Sequence, residues 1–205
     1  MMRVPLCTLI FAALLHAGTS EAPQHRAILA DSLIDSTSAA SKATRIVLAM
    51  TDGLYSVEHE PGPFLGPNWT GTFELQLLDD RRQIVSTARL NESFEELRFQ
   101  KPFSFQFSDY NQDGHPDFAI GQYASSNVYI YRLFTIIDDK IKELPIVPDQ
   151  EIISSERGYS ILFTKGSHAS FETVYYNNAA GTSFKRVYEW NGNAFERVLE
   201  TSSQK

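Results

Sequence analysis

The sequence predicts an all-β protein of many short antiparallel strands, stacked in a propeller-like, sandwich or barrel arrangement. Three observations lead there. The 14 Phe and 9 Tyr residues suit pleated, half-buried surfaces better than helix bundles. Short runs that alternate apolar and polar residues are separated by turn residues, and no stretch sustains a 3.6-residue apolar stripe. At 205 residues, 42% hydrophobic and 21% charged, the chain has an ordinary globular composition and enough length to bury a core without a staple.

The elements follow in order. Arg45-Ile-Val-Leu-Ala-Met50 reads as the first strand, closed by the turn dipeptide Asp52-Gly53 and followed by a return strand over Leu54 to Val57. Pro61 to Gly71 is too rich in Pro and Gly for regular structure, and its Phe64, Leu65 and Trp69 are expected to fold back over one end of a sheet. Thr72 to Leu78 places Phe73, Leu75 and Leu77 on one face, and Gln83 to Leu90 can return beside it. Phe103, Phe105 and Phe107 alternate with Ser104, Gln106 and Ser108, a period-two pattern leading into an acidic loop. Beyond that loop, strands are expected over Asp117 to Gly121, Asn127 to Ile137, Ile152 to Ser155, Ser160 to Thr164, Phe171 to Tyr176, Ser183 to Trp190 and Ala194 to Leu199. Asn191-Gly-Asn193 closes the last hairpin with residues that tolerate positive φ.

The first residues have the pattern of an export signal. Arg3 supplies a positive start, Val4 to Ala17 is almost wholly apolar, and Ser20-Glu21-Ala22 offers small residues around a cut. The expected organisation is a signal peptide over 1–22, a flexible leader over 23–43 and a single β domain over 44–205. Cys7 follows Val-Pro-Leu, without the small residue that lipid attachment requires, so no stable membrane anchor is expected. Cleavage after Ala22 removes Arg3 and Glu21 together. The net charge then stays at −7 and no cysteine remains, which rules out disulfides and thiolate chemistry in the mature chain. The acidic balance argues against nucleic acid as a partner and suits a basic protein.

One segment carries recognisable chemistry. In Asp109-Tyr-Asn-Gln-Asp-Gly-His-Pro-Asp117, side-chain oxygens stand at loop positions one, three, five and nine, a glycine at six, and the His115 carbonyl is available at seven. Calcium takes about six to eight oxygen ligands, and this spacing wraps successive oxygens around one centre. Asp109, Asn111, Asp113, His115 through its carbonyl, and Asp117 are therefore the expected ligands. Ile120 occupies the twelfth position, where a helix–loop–helix site carries a bidentate Glu. With period-two flanks on both sides, the site is expected between strands.

Over about Phe103 to Gly121 the sequence resembles one integrin-type FG-GAP or bacterial VCBS calcium repeat, whose core is Asp-x-Asp/Asn-x-Asp-Gly-x-x-Asp followed by an apolar strand. With the export pattern and the closing hairpin Tyr188-Glu-Trp-Asn-Gly192, the chain also resembles periplasmic immunity proteins that inhibit peptidoglycan-hydrolase effectors. That resemblance implies a periplasmic or extracellular protein, a lysozyme-like hydrolase as partner, and calcium in a structural role.

Enzyme signatures are missing. There is no Gly-x-Ser-x-Gly, no His-Glu-x-x-His, no phosphate-binding glycine loop and no dinucleotide fingerprint, so no catalytic residues are expected. His59 between Glu58 and Glu60, His168 in a small-residue turn, and Glu92, Glu95 and Glu96 read as solvated groups. The last three leave an envelope glycan hydrolase as the alternative, beside a carbohydrate- or protein-binding module. Asn68-Trp-Thr70 and Asn91-Glu-Ser93 match glycosylation acceptors.

Overall fold

A computed structural model describes residues 26–34, 41–94 and 96–203. The expected signal peptide, residues 23–25 and 35–40 of the expected leader, and Glu95 lie outside them. Fifteen strands follow in order: β1 (Ala27–Leu33), β2 (Arg45–Glu58), β3 (Gly66–Leu78), β4 (Ile84–Arg89), β5 (Arg98–Phe99), β6 (Phe107–Ser108), β7 (Asp117–Ser125), β8 (Val128–Ile137), β9 (Lys140–Leu144), β10 (Ile146–Val147), β11 (Ile152–Ser154), β12 (Thr164–Lys165), β13 (Ser170–Asn177), β14 (Thr182–Trp190) and β15 (Phe195–Ser203). A 3₁₀ turn spans Leu90–Glu92.

The strands form three sheets of five. The first has the order β1-β2-β3-β4, with β5 also on β3; the middle one runs β11-β8-β7-β6, with β9 also on β8; the third runs β10-β15-β14-β13-β12. Among the described residues the strands pair antiparallel except β10 with β15, and an isolated bridge between Ala30 and Phe103 is also parallel. No sheet closes on itself among the described residues. Of the expected closures, the chain adopts face-to-face stacking of sheets.

Side-chain alternation in the middle sheet dictates the stacking. Phe118, Ile120, Phe134 and Ile136 point one way and pack with Leu48, Phe73, Leu75 and Phe99 of the first sheet. Their neighbours Ala119, Tyr131 and Leu133 point the other way, onto Phe171, Tyr188 and Phe195 of the third. A sheet covered on both faces needs continuous rather than alternating apolar character. Accordingly, every residue from Asp117 to Gln122 is buried. Burying each Phe or Leu of these layers contributes roughly 1.5–3 kcal/mol.

Several expectations are corrected. Residues 27–33, expected in the flexible leader, form β1 against β2, with Leu29 and Ala30 buried and Asp31 ion-paired to Arg45 and Arg82. A register shift between Ile28 and Ala30 turns two consecutive residues inward, which hides the period in the sequence. Asp52-Gly53 makes no turn. β2 runs straight through it, and β3 begins inside the expected loop at Gly66. Gly53 and Gly71 face each other across this long hairpin, and a Cβ on either would lie 2.2 Å from the opposite backbone oxygen. The glycines mark a close backbone approach rather than a reversal. Residues 160–163, expected as a strand, have no strand structure, although Ile161 and Phe163 are buried. Phe103 packs against the core through an isolated parallel bridge to Ala30, Phe105 packs there from irregular chain, and of this run only Phe107–Ser108 forms a strand, β6.

The β8–β9 turn closes over the start of the first sheet. Asp138 and Asp139 adopt φ of 52° and 56°, and the Asp139 carboxylate accepts hydrogen bonds from the Ser41 hydroxyl at 2.8 Å and the Lys42 and Ala43 amides at 3.0 and 2.9 Å. Partial burial raises its pKa, but the bonds from Ala43, Lys42 and Ser41 outweigh that and hold it below the usual 3.8. Asp139→Ala should therefore cost roughly 1–2 kcal/mol in urea unfolding at neutral pH. Because the folded pKa is depressed, the contribution is present above the usual carboxylate range and lost as pH falls through the lowered value. The variant's deficit should shrink correspondingly in acid.

Candidate metal centre

The acidic loop joins β6 to β7, and its last ligand candidate opens the most buried strand of the protein. Asp117 pairs with Ser108 on one side and Thr135 on the other, and its side chain is 0% exposed. Its Oδ2 accepts the Tyr110 amide at 2.8 Å. Its Oδ1 is buried with no hydrogen-bond partner. The Thr135 hydroxyl faces the carboxyl and favours its charge, but it forms no well-aligned hydrogen bond there and is itself unpartnered. Burial, reinforced by the charges of Asp113 and Asp109, pushes the Asp117 pKa up to about 6.

The remaining oxygens of the loop are ordered by its own backbone. Asp109 accepts the Asp113 and Gly114 amides at 3.1 and 3.0 Å through its two carboxylate oxygens. Asn111 Oδ1 accepts the Asp113 amide at 3.2 Å, and its Nδ2 donates to Asp113 Oδ2 at 2.8 Å. Asp113 Oδ1 in turn accepts the His115 amide at 2.9 Å. Gln112 and Gly114, at φ of 60° and 83°, permit the tight wrap. Each carboxylate oxygen still offers a second lone pair.

Tyr110 ties the loop to the core. Its ring is 1% exposed between Phe163 and Phe171, and its hydroxyl accepts the Phe163 amide at 2.8 Å. Burial pushes its pKa up to about 12, so the hydroxyl stays protonated. Position two of a calcium loop is not a ligand position, so ligand spacing offers no reason to single this residue out beyond its size.

Of the five expected ligand residues, the fold brings Asp109, Asn111, Asp113 and Asp117 into one hydrogen-bonded loop, with half-buried His115 at its return. The side chains are not drawn around a single point, and no cluster of three or more His, Cys, Asp and Glu groups forms a cage among the described residues. The donor set nevertheless fits a hard cation. An orphaned buried carboxylate oxygen is costly, and carboxylate and amide oxygens are the ligands such an ion takes.

Other candidate groups are dispersed or occupied. Glu58, at the tip of the β2–β3 hairpin, folds back to accept the amides of His59 and Glu60, so His59 gathers no metal set. His168 is exposed before β13. Glu96 pairs with Arg98 and borders an open cleft of about 560 Å³ with Asp149 and Glu151. Both glycosylation patterns are used structurally: Asn68 is 1% exposed and donates to the Phe64 and Gly66 carbonyls, while Asn91 bonds the Phe73 amide and the Gly71 carbonyl.

No family model, curated protein or solved structure matches this chain. No helix among the described residues is long and apolar enough to cross a membrane.

The raised Asp117 pKa has a definite sign. In metal-free protein its contribution to stability is complete below the unfolded value near 3.8 and is lost as pH rises through about 6. In chelator, the melting temperature should fall over that window, and Asp117→Asn should flatten the fall. Tyr110→Phe should lower stability by about 1 kcal/mol in urea unfolding, since it strands the Phe163 amide.

Proposed function

We propose that the chain is an exported, calcium-stabilised β protein whose function is to bind another protein, with a peptidoglycan hydrolase of the lysozyme-like class as the partner to test first. The observation that carries the calcium part is the unpartnered, buried Oδ1 of Asp117 at the end of a loop that already orders Asp109, Asn111 and Asp113. Asp109, Asn111, Asp113, Asp117 and the His115 carbonyl would hold the ion, which supplies charge neutralisation and cross-links the loop to the first residue of β7. The role is structural.

The inhibitor reading rests on the resemblance to periplasmic immunity proteins, on the export pattern and on the Tyr188 to Gly192 hairpin, which joins β14 to β15 with Gly192 at φ 98°. The net charge of −7 suits a basic hydrolase surface. One observation favours a second reading, an envelope glycan hydrolase: Glu96, Asp149 and Glu151 border the same cleft.

Calcium should raise the melting temperature of the wild type. Asp113→Ala should remove most of that increase, because a ligand that binds only the folded state stabilises it by mass action; an undiminished calcium shift in the variant would take the loop out of the account. A peptidoglycan zymogram separates the functions. Suppression of added lysozyme-like activity supports the inhibitor, lysis by the purified protein supports the enzyme, and neither result leaves a binding module.

A further inference from the structure

A cleft of about 430 Å³ opens between the start of β3, the chain just after β5, Tyr129 of β8 and the chain after β11. That volume falls within the roughly 300–1,000 Å³ of small-molecule sites. The cleft shares no residue with the acidic loop or with the cleft bordered by Glu96.

Its charge runs against that of the chain. The protein carries 25 Asp and Glu against 18 Lys and Arg, yet Lys101 and Arg157 line this cleft and no Asp or Glu does. Both cationic residues are exposed. Among the described residues, neither has a carboxylate within ion-pair distance. Arg157 is steadied by a hydrogen bond from Nη2 to the Ser126 carbonyl, which leaves other guanidinium N–H groups for a ligand.

Two tyrosines add neutral donors. The Tyr159 ring is buried against Phe99 and Phe103, and its hydroxyl accepts the Gln100 amide at 2.7 Å. Burial pushes its pKa up to about 12, so the hydroxyl keeps a proton to donate. Burial also raises the pKa of Tyr129, and the nearby Arg157 charge works against that rise. Gln100 fixes the facing wall by donating from Nε2 to the Leu65 carbonyl at 3.1 Å, and Leu65 and Pro67 give that wall an apolar surface.

We propose that this cleft binds a short acidic saccharide. Lys101 and Arg157 take a sugar carboxylate, Tyr129 and Tyr159 donate to neighbouring sugar oxygens, and Leu65 and Pro67 cover an apolar sugar face. A saccharide uses all three features. A bare anion would leave the apolar wall and the tyrosines idle, and an extended acidic peptide is ordinarily held along a sheet edge or a long groove. The site stands apart from the calcium and inhibitor readings, because no residue of the acidic loop or of the Tyr188 to Gly192 hairpin borders it.

The test uses the full chain in calcium and a hyaluronan tetrasaccharide, which alternates glucuronate with N-acetylglucosamine. Chitotetraose, which is neutral, and a capped pentaglutamate peptide serve as comparators, with calorimetry and amide chemical shifts as readouts. The tetrasaccharide should shift the amides of Lys101, Tyr129 and Arg157 and bind about tenfold or more tightly than either comparator. Lys101→Gln/Arg157→Gln should keep the wild-type melting temperature and lose about tenfold in affinity. If its melting temperature falls, Lys101→Gln alone decides, and it should still weaken binding several-fold. Tyr129→Phe keeps both charges and should weaken binding while leaving its salt dependence unchanged. No binding, equal affinity for chitotetraose, equal or tighter binding of pentaglutamate, shifts confined to other residues, or unchanged affinity in the Lys101 variants would each overturn the proposal.

Discussion

The central constraint of this fold is that its middle sheet is covered on both faces. β7 and β8 send alternate residues into two separate apolar layers, so the stretch from Asp117 to Gln122 is withdrawn from water on both faces. The burial places Asp117 in the interior. A carboxylate opening an exposed strand would remain solvated and unremarkable, but at the head of a doubly covered strand it loses water and retains an oxygen with no partner. The electrostatics of the candidate metal centre thus follow from the stacking of the sheets.

The same stacking explains why the loop is well ordered. Tyr110 inserts between the middle and third sheets and is held by the Phe163 amide, while its own amide is held by Asp117. One residue therefore connects the acidic loop to both the strand that follows it and the sheet beyond. Local backbone bonds to Asp109, Asn111 and Asp113 define the inner turn. A cation bound there would act on a loop already anchored in the core, which is the arrangement of a structural site.

Away from the core, the first sheet follows a different rule. Among the described residues, β2 and β3 pair on past their last β1 and β4 partners, with exposed Leu54, Val57 and Leu65. The Gly53–Gly71 approach joins the sheltered part to this extension.

Much of this was legible in the chain. Phe73, Leu75 and Leu77 announced their strand because alternation in a half-covered sheet is a local pattern, and the Asp/Asn/Gly spacing from 109 to 117 announced an oxygen-rich turn because ligand spacing is local too. The sequence misled where a residue's meaning depended on a distant partner. Asp52-Gly53 has the composition of a turn, yet in the fold Gly53 serves a close approach to Gly71, eighteen positions along. Residues 27–33 look too polar for a strand until Arg45 and Arg82 neutralise Asp31 and a bulge turns Leu29 and Ala30 inward together. By itself, then, the sequence determined the all-β class, most of the strands and the donor set of the loop, all of which depend on short-range periodicity. Only the tertiary structure decided which faces were covered, and with that the burial of Asp117 and the anchoring of Tyr110, because burial is a property of contacts between segments far apart in the chain.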